Sequence, residues 1–537
     1  MVDGSRSSVT NKTTMGWATV AMPSVADLIF VALLLLLLFT PLSVRLLGDA
    51  GIGWHIRTGQ QILATHLIPR VDLFSSSTSG RPWFAWEWLY DLVVGRLDSS
   101  FGLNGVVWFN ATVIAAVFAW MFRLLIRRGV NVAITLLLTL LAMSASTIHF
   151  LARPHVLSWL FALAWFWILD SSEADCYNVS GSKKNRLWLL PLLMLVWVNV
   201  HGGFVLGFIL LAIFWLGAGW NWYKARGNRI EDSVERIAAG RRVRSLGLVS
   251  LISVAASFVN PYGWNLHAHV YSYLSNRFLM DHVDEFQSPN FHGVAQKCFA
   301  VLLLVTLAAL AVRGRRLRVS EGLTVLFAIY SGLYASRNIP VSSILLVMVV
   351  GTLMCGAEGG NSNPLSPQRR ASFVRRMTDI ESGLRGHVWC LIAVVASVLI
   401  AAHGGTVGSS VVMDAHFGAV RMPVEAVNYL EQQGTAGPIL SPDYWGGYLI
   451  YRLYPKAQVV VDDRHDLYGE KFLKSYLKMT HGELGWEDFL SEHKEACVLF
   501  PRDSALASLL AESAQWRPVY ADTVAIVFMR RPEPPMP

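Results

Sequence analysis

The residues best placed to do chemistry lie between Asp49 and Glu87, directly after the first long apolar run. The carboxylates Asp49 and Glu87 bracket a Trp54-His55 pair, an amphipathic segment, a proline-broken turn and an aromatic cluster formed by Trp83, Trp86 and Trp88. Such carboxylates can act as general base or general acid, or hold a divalent cation, Mg2+ or Mn2+, beside an anionic substrate. Four more polar clusters interrupt the hydrophobic sequence. They are His149 to His155, with Arg153; Asn199 with His201; Asn260 and Tyr262, with Glu285 further on; and Ser336 to Pro340, with Arg337. Arginines and histidines fixed by prolines at a bilayer boundary form a receptor for an anionic group, and Arg suits bidentate phosphate contact. Phosphate receptor and carboxylate together at that boundary point to a lipid-phosphate donor.

Each cluster also has a plainer reading. Asp49 can be a helix N-cap for the segment from Gly53. Arg153 and Arg337 can pair with acids for packing, and His55, His149, His155 and His201 can be hydrogen-bonded structural groups. The tryptophans can form an interfacial belt, and Asn260-Pro261 a helix stop. The joint pattern carries more than any one cluster.

The elements that must position these residues are hydrophobic. The chain is 537 residues long, 53% hydrophobic and 15% charged, against about 25% charged for ordinary soluble domains. An integral membrane protein follows. The formal charge of +8 does not imply nucleic acid, because residues 404–537 hold 12 Lys+Arg against 17 Asp+Glu, which leaves the basicity in the membrane part. The five cysteines are scattered without a CxxC pair, so neither a disulfide framework nor a zinc site is indicated.

Apolar runs at 27–47, 104–126, 130–149, 155–170, 187–200, 203–222, 245–260, 296–312, 320–336, 340–356 and 388–403 predict about eleven spans at ~20 residues each. The first is read as an uncleaved span behind a disordered cytoplasmic tail, 1–23. With the N-terminus inside, basic residues gather in every inside loop: Arg127 and Arg128; Lys183, Lys184 and Arg186; Lys224 to Arg244, with Arg229; Arg313, Arg315, Arg316 and Arg318; and Arg369 to Arg385. All five polar clusters then fall on the opposite face, the first of them in an external loop 48–103. Residues 24–403 read as the membrane domain and 404–537 as an extracytoplasmic α/β domain. In the latter, Gly437–Ser441, Gln458–Asp462, Ala496–Pro501, Arg517–Ala521 and Val524–Met529 read as strands. Tyr444–Leu453, Glu470–Met479, Trp486–His493 and Ser504–Ala514 read as helices. Within it, Asp462, Asp463, Arg464 and Asp466 form either a sugar-binding run or a surface loop.

Read in order, Asp49 with WHIRTGQQI, HLIPRVDLFSSSTSGRPWFAWEWL, LARPH, WVNVHGGFVLG, NPYG, EFQSPNF, SRNIP, VVVDDRHDLYG and VYADTVAIVFMRR resemble the bacterial polytopic membrane proteins grouped with C-type (GT-C) glycosyltransferases. The resemblance covers most of the chain. It implies a mainly α, multi-span GT-C-like fold in the bacterial cytoplasmic membrane, a polyprenyl-phosphate-linked sugar donor, and a glycan, lipid or protein acceptor. It also implies that Asp49 is the catalytic acid of the first external loop. Relatives often carry a second acid within two residues, where Gly51 stands here. Asp49 therefore acts alone as base, or Glu87, Asp72 or Glu285 supplies the partner. Arg337, Arg153 and His155 would hold the donor phosphate, with Trp54, His55, Asn199, His201, Asn260, Tyr262 and Glu285 lining the site. Two other functions fit the sequence: a transporter or flippase for a lipid-linked or anionic solute, and a non-catalytic envelope assembly protein.

Overall fold

The computed structural model describes residues 19, 21–176, 186–226, 233–312, 317–355, 368–493 and 496–531. Most of the expected tail lies outside these residues, as do Lys183, Lys184, Arg229, Arg313, Arg315 and Arg316 of the expected inside loops. Each apolar run is helical over most of its length, as it must be where lipid offers the backbone no hydrogen bonds. The first helix, Val25–Phe39, starts at a capping box between Ser24 and Asp27 and stops ahead of Pro41, whose ring cannot continue it.

The expected count of about eleven spans is not confirmed. Among the described residues five helices are long and apolar enough to cross a membrane, or up to six if the bent pair Arg375–Gly383 and Val388–Ala402 is one span. Length is part of the difference. Val25–Phe39 has 15 residues and Val319–Tyr334 has 16, so at 1.5 Å per residue each falls short of the ~30 Å hydrocarbon layer. The chain remains a multi-pass membrane protein.

One helix is much longer than a span needs. Trp88–Arg127 runs for 40 residues with a break at Gly102, where φ is 61° and ψ −160°, a conformation that side chains disfavour. Its first part stands outside the apolar run and carries Asp91 one turn beyond Glu87. Against it packs the loop helix Ile52–Thr65, which ends at His66 in a left-handed cap.

Glycines set how closely the loop helix is gripped. A Cβ on Gly59 would lie 1.8 Å from the Asp91 carbonyl oxygen, and one on Gly53 would lie 2.1 Å from that of Gly447. The loop helix thus touches the Trp88 helix on one side and the C-terminal helix Asp443–Leu453 on the other, backbone to backbone. A buried face of Ile52, Trp54, His55, Ile56 and Ile62 completes the joint.

The C-terminal region holds a four-stranded sheet in the order Ile439–Leu440, Cys497–Pro501, Ala525–Arg530, Trp516–Ala521. The first pairing is parallel and the other two are antiparallel. Asp522 closes the terminal hairpin by accepting from the amides of Val524 and Ala525, both at 2.7 Å. The expected strand Gln458–Asp462 is a correction, since it forms no strand. Val459 makes only isolated parallel bridges, to Ile439 on one side and Ser75 on the other. The chain there is drawn out as a seam between the sheet and the loop that precedes the Trp88 helix, too short on either side to build a ladder.

A prediction follows from the glycine grip. Gly53→Ala forces two backbones apart and lowers stability by about 1–3 kcal/mol, read as a lower melting temperature in detergent. Gly219→Ala, on a helix with open space around that position, leaves the melting temperature unchanged or raises it slightly.

Candidate active site

The polar clusters converge on one cavity of about 1160 Å³. Asp49, Glu87, Trp54, Arg153, His155, His201, Glu285 and Arg337 all line it, together with His149, Asp91, Asp463 and Arg464. Its other wall is apolar, formed by Leu206, Ile209, Phe327 and Val341 from the spanning helices.

Asp49 sits in the turn after the short helix Leu42–Leu46. Its Oδ1 accepts from the Gly51 amide at 2.9 Å. The loop helix is capped by Gly51, without a side-chain bond, so Asp49 is not its N-cap residue. The Arg153 guanidinium meets Asp49 in a fork, Nε to Oδ2 and Nη2 to Oδ1, both at 2.9 Å. The same Nη2 donates to Asp463 Oδ2 at 2.7 Å, while the other oxygen of Asp463 accepts from Trp54 Nε1 at 3.0 Å. Arg153 is therefore shared by two carboxylates from opposite ends of the sequence.

Gly51 now has a physical reason. A Cβ there would lie 2.3 Å from Asp463 Oδ2 and 2.5 Å from Arg153 Nη1. The second acid missing from position 51 is supplied by Asp463, which occupies the space that a side chain would need. Burial raises the Asp463 carboxyl to about 6, against the pull of Arg153. Asp72 and Glu285 are not that partner, because Asp72 pairs with Arg464 at 3.0 Å and Glu285 with Arg337 at 3.0 Å.

A divalent cation at Asp49 does not fit these residues. Both Asp49 oxygens face Arg153, and the guanidinium stands where a cation bridging Asp49 and Asp463 would sit. Among the described residues no three metal-ligating side chains gather.

Glu87 occupies a different environment. It is buried, and burial pushes its carboxyl up to about 8, so it holds its proton at neutral pH. Two histidines flank it. His55 Nδ1 lies 2.6 Å from Asp91 Oδ1, and burial holds the ring neutral by moving its pKa well below the usual value. Burial raises the Asp91 carboxyl well above its usual range too, so either partner can hold the proton they share, and the other ring nitrogen, Nε2, lies 3.7 Å from Glu87 Oε2. On the other side, His201 Nδ1 accepts from the Gly203 amide at 3.0 Å and the Ser158 hydroxyl at 2.8 Å. That hydroxyl can give its proton because its oxygen accepts from Trp197 Nε1 at 2.8 Å. Burial keeps His201 neutral too, so its Nε2–H points at Glu87 Oε1 across 3.6 Å. Glu87 thus lies between the two rings across gaps wider than a hydrogen bond.

Other expected roles change. Arg153 is held by Asp49 and Asp463, and Arg337 Nη1 pairs with Glu285 while its guanidinium rests 4.6 Å over the Phe286 ring, so each already has a carboxylate partner. His155 spends Nε2 on the His149 carbonyl oxygen at 3.0 Å. Asn199, Asn260 and Tyr262 do not line the cavity. Asn199 accepts from Trp88 Nε1 and donates to the Val259 carbonyl oxygen, Asn260 closes its own turn onto the Tyr262 amide, and the Tyr262 hydroxyl joins Pro69 to Ala85. They brace the external loop. The run Asp462–Asp466 is not a surface loop: Asp462 and Arg464 are buried, and Arg464 binds Asp462, Asp72 and Ser75 beneath the Trp83 ring at 4.6 Å. Asp91 was missed because its pairing with His55, 36 residues away, leaves no spacing signal in the sequence.

No family model matches the chain, and no curated protein matches it in sequence. Solved structures do. The oligosaccharyltransferase of Archaeoglobus fulgidus, tethered to an acceptor peptide, is similar over 91% of this chain and 69% of its own, with 11% identity and a TM-score of 0.52. ArnT from Cupriavidus metallidurans bound to undecaprenyl phosphate is similar over 96% of this chain and 98% of its own, with 13% identity and a TM-score of 0.48. The mycobacterial arabinofuranosyltransferase AftD covers 95% of this chain and 42% of its own, with 15% identity and a TM-score of 0.48. The fold is that of the GT-C glycosyltransferases, as the sequence resemblance implied.

Glu87 gives a pH test. The unfolded carboxyl ionises near 4.5 and the folded one near 8, so between these values the folded state binds more protons and stability falls as pH rises. Glu87→Gln flattens the decline of melting temperature over that window. An infrared band from a protonated carboxyl, present at pH 7, disappears in the same variant.

Proposed function

We propose that this chain is a membrane glycosyltransferase that moves a sugar from a polyprenyl-phosphate-linked donor to an acceptor at the external face of a bacterial cytoplasmic membrane. The observation that carries this is the cavity itself, in which an apolar wall of spanning helices meets the carboxylates of the external loop. An isoprenoid tail suits the first and a reacting sugar phosphate the second. The positions of the polar groups also favour transfer over transport, since they gather at one end of the helices rather than at mid-span. The N-terminus is then cytoplasmic and the C-terminal region extracytoplasmic, covering the site.

In this reading Asp49 takes the proton of the acceptor hydroxyl as its oxygen attacks the anomeric carbon. The bond from that carbon to the donor phosphate oxygen breaks, and its electron pair leaves with the phosphate. Arg153 fixes the direction of Asp49, and Asp463 shares its charge. Glu87, protonated at neutral pH, donates a hydrogen bond or its proton to an oxygen of the departing group, flanked by His201 and His55.

Two measurements check this. Asp49→Asn lowers transfer from a polyprenyl-phosphate sugar in membranes by about 10²–10⁴-fold, and a folded variant that keeps the wild-type rate would remove Asp49 from the role. The wild-type rate falls as pH rises through about 8, where Glu87 loses its proton. Glu87→Gln loses that alkaline limb.

A further inference from the structure

Counting the cations of the cavity leaves two over. Arg153 is divided between Asp49 and Asp463, Arg337 is held by Glu285, and Arg464 is held by Asp462 and Asp72. Arg45 and Arg421 line the same cavity and are exposed. Among the described residues neither side chain has a hydrogen-bonding or carboxylate partner.

They approach from opposite sides. Arg45 lies on the short helix Leu42–Leu46, just beyond the first apolar helix. Arg421 lies in the turn before the helix Val424–Gln432, where its amide bonds the Gly418 carbonyl oxygen at 3.0 Å. Its own carbonyl oxygen accepts from Trp445 Nε1 at 2.8 Å. Gly48 brings the two segments together: a Cβ there would lie 2.9 Å from the Arg45 carbonyl oxygen and 3.0 Å from Arg421 Nη1. The absent side chain lets the Arg421 guanidinium reach the turn that joins Arg45 to Asp49.

We propose that Arg45 and Arg421 are the phosphate-binding pair of this cavity. Unpaired guanidinium groups facing a cavity suit a phosphate's fork geometry. In the reading above, on which the choice of ligand rests, the phosphate is the headgroup of a polyprenyl phosphate. Its tail lies along the apolar wall of Leu206, Ile209, Phe327 and Val341, and its anionic group meets Arg45, four residues before Asp49. The arginines marked by the sequence instead hold the carboxylates in place.

The test measures equilibrium binding of undecaprenyl phosphate and, separately, of inorganic phosphate to the full chain in nanodiscs. Wild type is compared with Arg45→Gln, Arg421→Gln, the double variant, the lysine versions of both, and Arg517→Gln as a surface control. The expected result is a loss of about tenfold in undecaprenyl phosphate affinity for each glutamine variant, a larger loss for the double variant, and partial recovery with lysine. Arg517→Gln binds as wild type does. Undecaprenyl phosphate affinity in a folded double variant within about twofold of wild type overturns the pair and leaves the glycosyltransferase reading standing. If wild type binds inorganic phosphate but not undecaprenyl phosphate, and the double variant loses it, the pair is upheld and the lipid donor overturned. Binding of neither ligand by wild type overturns both.

Discussion

The guanidinium of Arg153 is the interaction on which the site depends. It accepts no proton and bonds no substrate in this arrangement, yet it joins three segments that are remote in sequence: the turn after the first apolar helix through Asp49, the LARPH corner that carries Arg153, and the C-terminal region through Asp463. These side chains remain partly open to the cavity, so the ion pairs contribute little net stability. Their effect is on direction. A forked bond to both oxygens of Asp49 fixes the plane of that carboxylate, and the fork holds only if the loop helix lies close enough to the C-terminal helix. Close glycine contacts at Gly51, Gly53 and Gly447 provide that closeness.

Glu87 is governed by the opposite principle. Arg153 compensates Asp49 directly, whereas Glu87 has no cation within bonding distance and sits in a pocket whose two histidines are themselves neutral. Losing water without gaining a counter-charge favours the protonated carboxyl. What surrounds Glu87, rather than its residue type, thus sets its state. The His201 tautomer follows from the same contacts: Ser158 and the Gly203 amide claim Nδ1 as acceptor, which leaves Nε2 as the donor toward Glu87.

The sequence revealed the membrane character, most C-terminal elements and the convergence of polar clusters, because these rest on local patterns. Hydrophobic runs, charged loops and proline-fixed corners can be read in one dimension. What could not be read depends on who meets whom. Asp463 lies in a run of acids that composition cannot divide into buried and exposed, and its pairing with Arg153 spans 310 residues. Gly51 showed as a departure from its relatives, but its meaning lies in the space Asp463 fills. Asn199, Asn260 and Tyr262 drew attention as polar residues beside apolar runs, and that property belongs equally to residues that close turns and brace loops. The span count stays unconfirmed for a related reason: hydropathy measures a run's composition, while a proline or glycine decides how far its helix continues.

Arg464 shows why the two halves of the site belong together. It is buried with Asp462 and Asp72, bonds the Ser75 hydroxyl, and lies beneath Trp83. Asp72 in turn accepts from the amides of Phe74 and Ser75 and the Thr78 hydroxyl, which shapes the loop. Separating the C-terminal region from the loop would strip Arg464 from Asp72, leaving buried charge unpaired, a cost far above that of breaking a surface ion pair. Docking of that region and assembly of the Asp49–Arg153–Asp463 group are therefore one event. The C-terminal region thus contributes Asp463 to the group that holds Arg153 against Asp49.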